Sequence, residues 1–79
     1  MRAHKLLEDM RRNPQADWTI ENVETVCNGF GVTCSKPKNG SHYKVSHARM
    51  QEILTVPFKR PIKAVYIRKL VEFIDSVKE

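Results

Sequence analysis

The chain lacks long apolar runs, which argues against a protein with a membrane-spanning helix. Its apolar runs are only a few residues long, whereas a membrane-spanning helix needs about 20 apolar residues. No apolar stretch follows the basic start at residues 1–5, so we expect no signal peptide. With 79 residues, we expect one domain covering residues 1–79. A domain this small should offer a shallow surface rather than a deep cavity, and such a surface suits a polymer substrate.

Cysteine is also scarce. The two cysteines, Cys27 and Cys34, are too few for a disulfide framework. One is expected late in a helix and the other in a strand, both buried, where a free cysteine behaves as a small hydrophobic residue. This usage favours a reducing compartment, so we predict a cytoplasmic location.

Acidic residues are nearly absent from one part of the chain. Residues 36–69 hold nine Lys or Arg against a single acid, Glu52, whereas the remainder has five basic and eight acidic residues. Such asymmetry predicts a surface that binds a polyanion. Nucleic acid is favoured over an anionic membrane, since no segment combines a basic face with exposed large apolar side chains.

The hydrophobic periodicity predicts three helices. A short charged helix covers residues 3–12, with Leu6, Leu7 and Met10 at helical spacing. A second helix begins after Thr19 as N-cap and stops at Gly29. The third covers residues 63–77 and carries an apolar face.

Three strands are predicted between the second and third helices. Alternation from Phe30 to Ser35 indicates the first strand, and Asn39-Gly40 indicates a hairpin turn into a second strand at residues 41–47. The third strand covers residues 52–56, and Pro57 ends it or marks an edge. The fold class is therefore α+β, in the order α-α-β-β-β-α, with an antiparallel sheet and helices on one face.

His42 is the candidate catalytic residue. By strand parity it points away from Tyr43 and Val45, onto the open face of the sheet. Imidazole titrates near neutrality, so it can take or give a proton in a cell, and RNA carries its own nucleophile in the 2′-hydroxyl. A general acid or base acting on a phosphodiester is the functional interpretation. A surface histidine in a hairpin is the alternative.

The candidate RNA-binding residues surround His42 in the sequence. Lysines and arginines attract phosphate, and Ser41 can donate a hydrogen bond to it, although a polar hairpin-edge residue is an equal alternative. The predicted set is Lys36, Lys38, Gly40, Ser41, Lys44, Lys59, Arg60 and Lys63.

Metal ions and cofactors are not expected. His42 and His47 have opposite parity, and His4 lies in another element, so we predict neither a metal site nor a small-molecule cofactor. Aromatic residues are few, and Phe58 is the only one expected to touch a base. The lack of a stacking platform argues against a sheet of the single-strand-binding type.

Taken together, these segments resemble the HicA toxins, the small mRNA interferases of HicA–HicB toxin–antitoxin systems. The likeness covers roughly residues 3–77. It is carried by Gly29-Phe30, Gly40-Ser41-His42-Tyr43, Ile53-Leu54-Thr55-Val56-Pro57 and Tyr66-Ile67-Arg68-Lys69-Leu70. The chain departs from the family in a longer link at residues 46–51, where His47 is a remnant, a helper or without a role.

The resemblance implies a fold similar to double-stranded-RNA-binding domains, with an extra N-terminal helix at about 3–12. It also implies metal-independent endoribonuclease activity on mRNA, with the family's active histidine at His42 and a HicB-like antitoxin as partner. Two other hypotheses remain open at this point. One is a non-catalytic RNA-binding module that uses the same basic face, and the other is an adaptor that docks an acidic protein.

Overall fold

The computed structural model describes residues 2–78, which form three helices and one three-stranded antiparallel sheet. The predicted α+β class and element order are confirmed. None of the helices in these residues is long and apolar enough to cross a bilayer. The elements are α1 (Arg2–Arg12), α2 (Ile20–Gly29), β1 (Thr33–Ser35), β2 (His42–Ser46), β3 (Leu54–Pro57) and α3 (Ala64–Lys78).

Helix α1 packs on the rest of the domain through an apolar stripe. Leu7 and Met10 are fully buried, and Leu6 is partly buried against the same core. At its end the Arg11 guanidinium donates to both carboxylate oxygens of Asp75 in α3, at 2.7 and 2.9 Å. The Arg11 guanidinium lowers the pKa of Asp75 from its usual value, because the hydrogen bonds favour the ionised carboxylate.

Helix α2 starts where its capping residue predicts. The Thr19 hydroxyl accepts a hydrogen bond from the Asn22 amide, and the Asn22 side chain accepts one from the Thr19 amide. The two residues therefore satisfy each other's free donors, as in a capping box. The apolar face predicted for this helix is buried in the core.

The end of α2 differs from the sequence prediction in detail. The helix does end at Gly29, but the left-handed residue is Gly31, at φ +70°. Gly29 serves a different purpose, because a Cβ atom there would collide with the Cβ of Ala3 in α1. Phe30, predicted to begin a strand, caps the helix instead, and its amide donates to the Cys27 carbonyl at 3.2 Å.

The strands are shorter than predicted. Strand β1 begins at Thr33 rather than at Phe30, and β3 begins at Leu54 rather than at Glu52. Strand β2 is central, and its Val45 pairs with Cys34 of β1. Strand β3 includes Pro57, which lies opposite His42. A proline is tolerated there because β3 is an edge strand.

The predicted parity of β2 is confirmed. Tyr43 and Val45 are buried, whereas His42 and Lys44 are exposed on the other face. Helix α3 buries its predicted apolar face together with Phe73. The cysteine prediction is partly wrong, because Cys27 is buried but Cys34 is only half-buried. Cys34 lies on the three-residue edge strand β1, where the cover is incomplete.

Candidate functional site

His42 is the first residue of β2, directly after the turn that joins β1 to β2. Gly40 adopts φ +100° within this turn, a conformation that glycine reaches without steric cost. The Phe58 amide donates to the Ser41 carbonyl at 3.1 Å, which ties the start of β2 to the end of β3. The exposed His42 side chain therefore extends from a hydrogen-bonded strand rather than from a loop without backbone hydrogen bonds.

Among the residues that the structure describes, the His42 ring has one hydrogen-bonding neighbour. The Ser41 Oγ lies 3.2 Å from the Nδ1 of His42. This contact helps to orient the ring, and it leaves Nε2 available to a ligand. Ser41 thus meets His42 directly, as a partner of the imidazole, in addition to its predicted role toward phosphate.

A shallow cleft brings His42 together with the basic loop at residues 58–63 and with the start of α3. The cleft has a volume of about 460 Å³. Its lining residues are His42, Pro57, Lys59, Arg60, Pro61, Lys63 and Tyr66. No carboxylate lines it among the residues that the structure describes. Three of the predicted RNA-binding cations therefore surround the predicted catalytic residue.

The basic loop at residues 58–63 is anchored to the body of the domain. Ile62 is buried, and its amide donates to the Trp18 carbonyl at 2.9 Å. Lys59 and Lys63 lie on either side of this anchor and are exposed. The peptide bond between Arg60 and Pro61 is cis.

Arg60 differs from the two lysines because it has a partner. Its guanidinium binds the Asp17 carboxylate through Nη2 at 2.6 Å and Nε at 3.1 Å. The Arg60 guanidinium lowers the pKa of Asp17, and the carboxylate raises the pKa of Arg60, because each partner stabilises the charge of the other. Sequence reasoning missed Asp17, which lies 43 residues away in the chain.

The hairpin residues divide between a second cleft and the open sheet face. A neighbouring cleft of about 540 Å³ is lined in part by Lys36, Gly40 and Phe58, and it shares Arg60 with the first cleft. Glu21 at the start of α2 also lines it. Phe58 is 42% exposed and meets the Tyr43 ring edge-on, with centroids 5.9 Å apart. Phe58 thus presents an exposed aromatic ring in the cleft that Lys36 also lines.

Lys38 and Lys44 line neither cleft. Lys38 is exposed in the turn, and Lys44 is exposed on the same sheet face as His42, two residues along β2. Their positions place positive charge around the site rather than inside it.

The other two histidines have structural neighbours. The Nδ1 of His47 accepts a hydrogen bond from the Arg49 amide at 3.0 Å, which closes the turn after β2. His4 packs against the Phe30 ring, with centroids 5.1 Å apart. Within residues 2–78, no three His, Cys, Asp or Glu side chains converge in a metal-binding cluster.

Tyr66 is the cleft residue whose placement the sequence did not reveal. In the sequence, Tyr66 was notable only as part of the segment Tyr66-Ile67-Arg68-Lys69-Leu70. Its position three residues after Lys63 puts the two side chains on one face of a helix, which was a usable signal. Its proximity to His42, however, depends on how α3 packs beside β3.

Comparisons with known proteins add no relative. No family model, no curated protein and no solved structure matches this chain.

Proposed function

We propose that this chain is an endoribonuclease of the HicA mRNA interferase type, with His42 as the general acid or base. The observation that carries the proposal is the cleft in which an exposed imidazole stands beside Lys59 and Lys63, without a lining carboxylate in the described residues. A titratable group among cations is the minimum equipment for cleaving a phosphodiester whose nucleophile belongs to the substrate.

The chemistry assigns separate tasks to the imidazole and the lysines. The imidazole would remove the proton from the 2′-hydroxyl as its oxygen attacks phosphorus. The bond from phosphorus to the 5′-oxygen then breaks, and that oxygen takes up a proton from water, since no second imidazole or carboxylate lines the cleft within residues 2–78. The imidazolium returns its proton to water afterwards. Lys59 and Lys63 would stabilise the negative charge that develops on the phosphoryl oxygens. The products of this route are a 2′,3′-cyclic phosphate and a 5′-hydroxyl, which end-group analysis distinguishes from other routes.

The remaining predicted residues would hold the RNA backbone. Arg60 supplies positive charge within the cleft, and Lys36, Lys38 and Lys44 supply it around the cleft. Gly40 and Ser41 shape the turn that presents His42. We place the activity in the cytoplasm, where mRNA is translated, and we expect a HicB-like antitoxin to neutralise it by covering this surface. A short reading frame for an acidic protein, immediately next to this one in the genome, would support that partner.

The decisive experiment compares the purified protein with His42→Ala and with His4→Gln as the matched control. His4 is exposed and lies on α1, which contributes no residue to the His42 cleft. We expect His42→Ala to lose cleavage by about 10²- to 10⁴-fold and to relieve growth arrest in the host. It should still bind RNA within several-fold, and His4→Gln should cleave normally. Wild-type protein that binds RNA and leaves it intact would overturn the enzyme proposal.

A non-catalytic RNA-binding module is the second candidate. It is favoured by the lack of a second proton carrier, because within residues 2–78 no imidazole or carboxylate other than His42 lines the cleft to protonate a leaving oxygen. Such a module would bind RNA with the same lysines and show no dependence on His42. An adaptor for an acidic protein is the third candidate, and it would be favoured by an absence of RNA binding at moderate salt.

The two lysines outside the clefts test whether the surrounding charge reaches RNA. Lys38→Ala and Lys44→Ala should each weaken binding and reduce the slope of log affinity against log salt by roughly one unit for each phosphate that is no longer neutralised. Titrations of labelled RNA at several salt concentrations measure this slope. An unchanged slope in both variants would remove these lysines from the interface.

A further inference from the structure

One face of α3 carries an aromatic residue between two lysines. Lys63, Tyr66 and Lys69 follow one another at intervals of three residues. Tyr66 and Lys69 therefore lie on one side of α3, and Lys63 lines the same cleft as Tyr66. Lys63 directly precedes α3 and caps its start, because its carbonyl accepts hydrogen bonds from the Tyr66 amide at 3.0 Å and from the Ile67 amide at 3.3 Å. We call these three residues the α3 stripe.

Tyr66 lies where two concave surfaces meet. It lines the His42 cleft together with Lys63, and it also lines a larger groove together with Lys69. That groove has a volume of about 690 Å³ and runs between residues 49–55 and α3. The two concavities therefore adjoin at Tyr66 and lie along the side of β3, the first at His42 and Pro57 and the second at Leu54 and Thr55. We call this pair of concavities the path.

The Tyr66 ring is held in place by the core. It is half-buried and packs against the main hydrophobic cluster, so one part of the ring is fixed while another part faces the grooves. A partly exposed ring on a rigid helix can accept a nucleic-acid base by stacking at little cost in side-chain entropy.

Charge along the path is positive near His42 and mixed farther away. The cations of the first cleft give way in the larger groove to Arg49 and Lys69, which are accompanied by Glu52 and Glu72. Arg49 also donates to the Val77 carbonyl at 3.1 Å. A polyanion is therefore attracted most strongly at the His42 end, and Lys69 is the cation of the stripe that continues the path.

We propose that RNA crosses this path as a single strand, with one unpaired base stacked on Tyr66 and the neighbouring phosphates beside Lys63 and Lys69. The proposal rests on the proposed function and narrows its substrate to RNA that is unpaired at the cleavage position. In an A-form duplex the bases are already stacked on each other and paired, so none can reach a ring on the protein surface.

The test uses the His42→Ala background, in which RNA survives, and measures fluorescence anisotropy with labelled single-stranded and duplex RNA. Removing the stacked ring in Tyr66→Leu should weaken single-strand binding by about 5- to 100-fold. Tyr66→Phe should restore binding to near the parent value, because the ring is retained. Circular dichroism of each variant verifies folding, and the parent should prefer the single strand over a duplex of the same length.

Two adjacent residues on α3 give a matched control that leaves the core untouched. Lys69→Gln and Arg68→Gln remove the same charge, but Arg68 is exposed and lines neither concavity. We expect Lys69→Gln to weaken binding and Arg68→Gln to have a smaller effect. Glu72→Gln should strengthen binding, because it removes a carboxylate from the groove.

The outcomes separate this inference from the function on which it rests. Equal effects of Lys69→Gln and Arg68→Gln, or Tyr66→Leu binding as tightly as the parent, would overturn the single-strand path. Both results are compatible with cleavage that depends on His42. Conversely, wild-type protein that never cleaves RNA would end the nuclease proposal, whereas a Tyr66 effect on binding would still support the path.

Discussion

The ion pair between Arg60 and Asp17 predicts that the cations of the His42 cleft contribute unequally to RNA binding. Lys63 is exposed and has no carboxylate partner among residues 2–78, whereas Arg60 already binds Asp17 through two nitrogens. For Arg60 to bind phosphate, it must give up or share that partner. Lys63→Gln should therefore weaken RNA binding more than Arg60→Gln, although each removes one positive charge.

The size of the difference follows from counterion release. Each phosphate that a cation neutralises on a single strand contributes about 0.7 to the slope of log affinity against log salt. Between about 50 and 200 mM salt, removing one such cation therefore changes the fall in affinity by roughly 2.5-fold. We expect the slope to decrease by about 0.7 in Lys63→Gln and by less than half of that in Arg60→Gln.

Asp17→Asn provides the opposite perturbation. It releases Arg60 toward the cleft, so affinity should rise and the slope should steepen by up to about 0.7. Asp9→Asn on α1 makes the same charge change away from the cleft and serves as the control. Anisotropy titrations of the His42→Ala protein at four salt concentrations measure all of these slopes. If Arg60→Gln loses as much slope as Lys63→Gln, the ion pair does not restrain Arg60 and the reasoning is wrong.

Three further predictions concern the fold. Gly29→Ala should lower the free energy of unfolding in urea by about 1 kcal/mol, because overpacking against Ala3 costs about 1–3 kcal/mol and outweighs a helix-propensity gain of about 0.5–1 kcal/mol. Within an Ala3→Gly background the same change should instead stabilise the protein relative to that background. A Gly29→Ala protein at least as stable as the parent would contradict the close approach. The ion pair with Arg11 lowers the pKa of Asp75 in the folded protein. It therefore stabilises the fold at pH values above the pKa of an unfolded aspartate, about 3.9. This stabilisation is lost as the pH falls through the lower pKa of the folded state. Asp75→Asn should thus lose about 0.2–1 kcal/mol at neutral pH and show a shallower stability loss in acid, measured by urea titrations across pH; an unchanged acid slope would argue against the pair. Thr19→Ala should cost about 0.5–2 kcal/mol and Thr19→Ser much less, by thermal unfolding, and equal losses would deny the hydroxyl its capping role.

The helices were the most predictable part of the fold, because their signals are local. The predicted ranges of 3–12 and 63–77 differ by one residue from the observed bounds of α1 and α3. The first strand was predicted less well. Phe30 continues the alternation of Val32 and Cys34, but the chain uses it to end α2, so β1 starts three residues later. Alternation alone does not reveal where a cap ends and a ladder begins.

In the candidate site, strand alternation predicted which side chains are exposed, but it did not predict their tertiary contacts. The exposed face of His42 followed from its alternation with Tyr43 and Val45, and the structure agrees. The pairing of Arg60 with Asp17 joins residues 43 positions apart, and no local pattern marks it. The position of Tyr66 beside His42 likewise depends on tertiary packing, since α3 must lie along β3 before the two residues line one cleft.

The anchoring of the basic loop has a consequence for the kinetics of association. Ile62 is buried, and its amide donates a hydrogen bond to the Trp18 carbonyl. The backbone between Lys59 and Lys63 is therefore already ordered before any ligand arrives. A polyanion that meets these ammonium groups would therefore sacrifice little loop entropy on docking. Encounter would then be governed mainly by long-range attraction, and the association rate constant should fall steeply with ionic strength while the dissociation rate changes less.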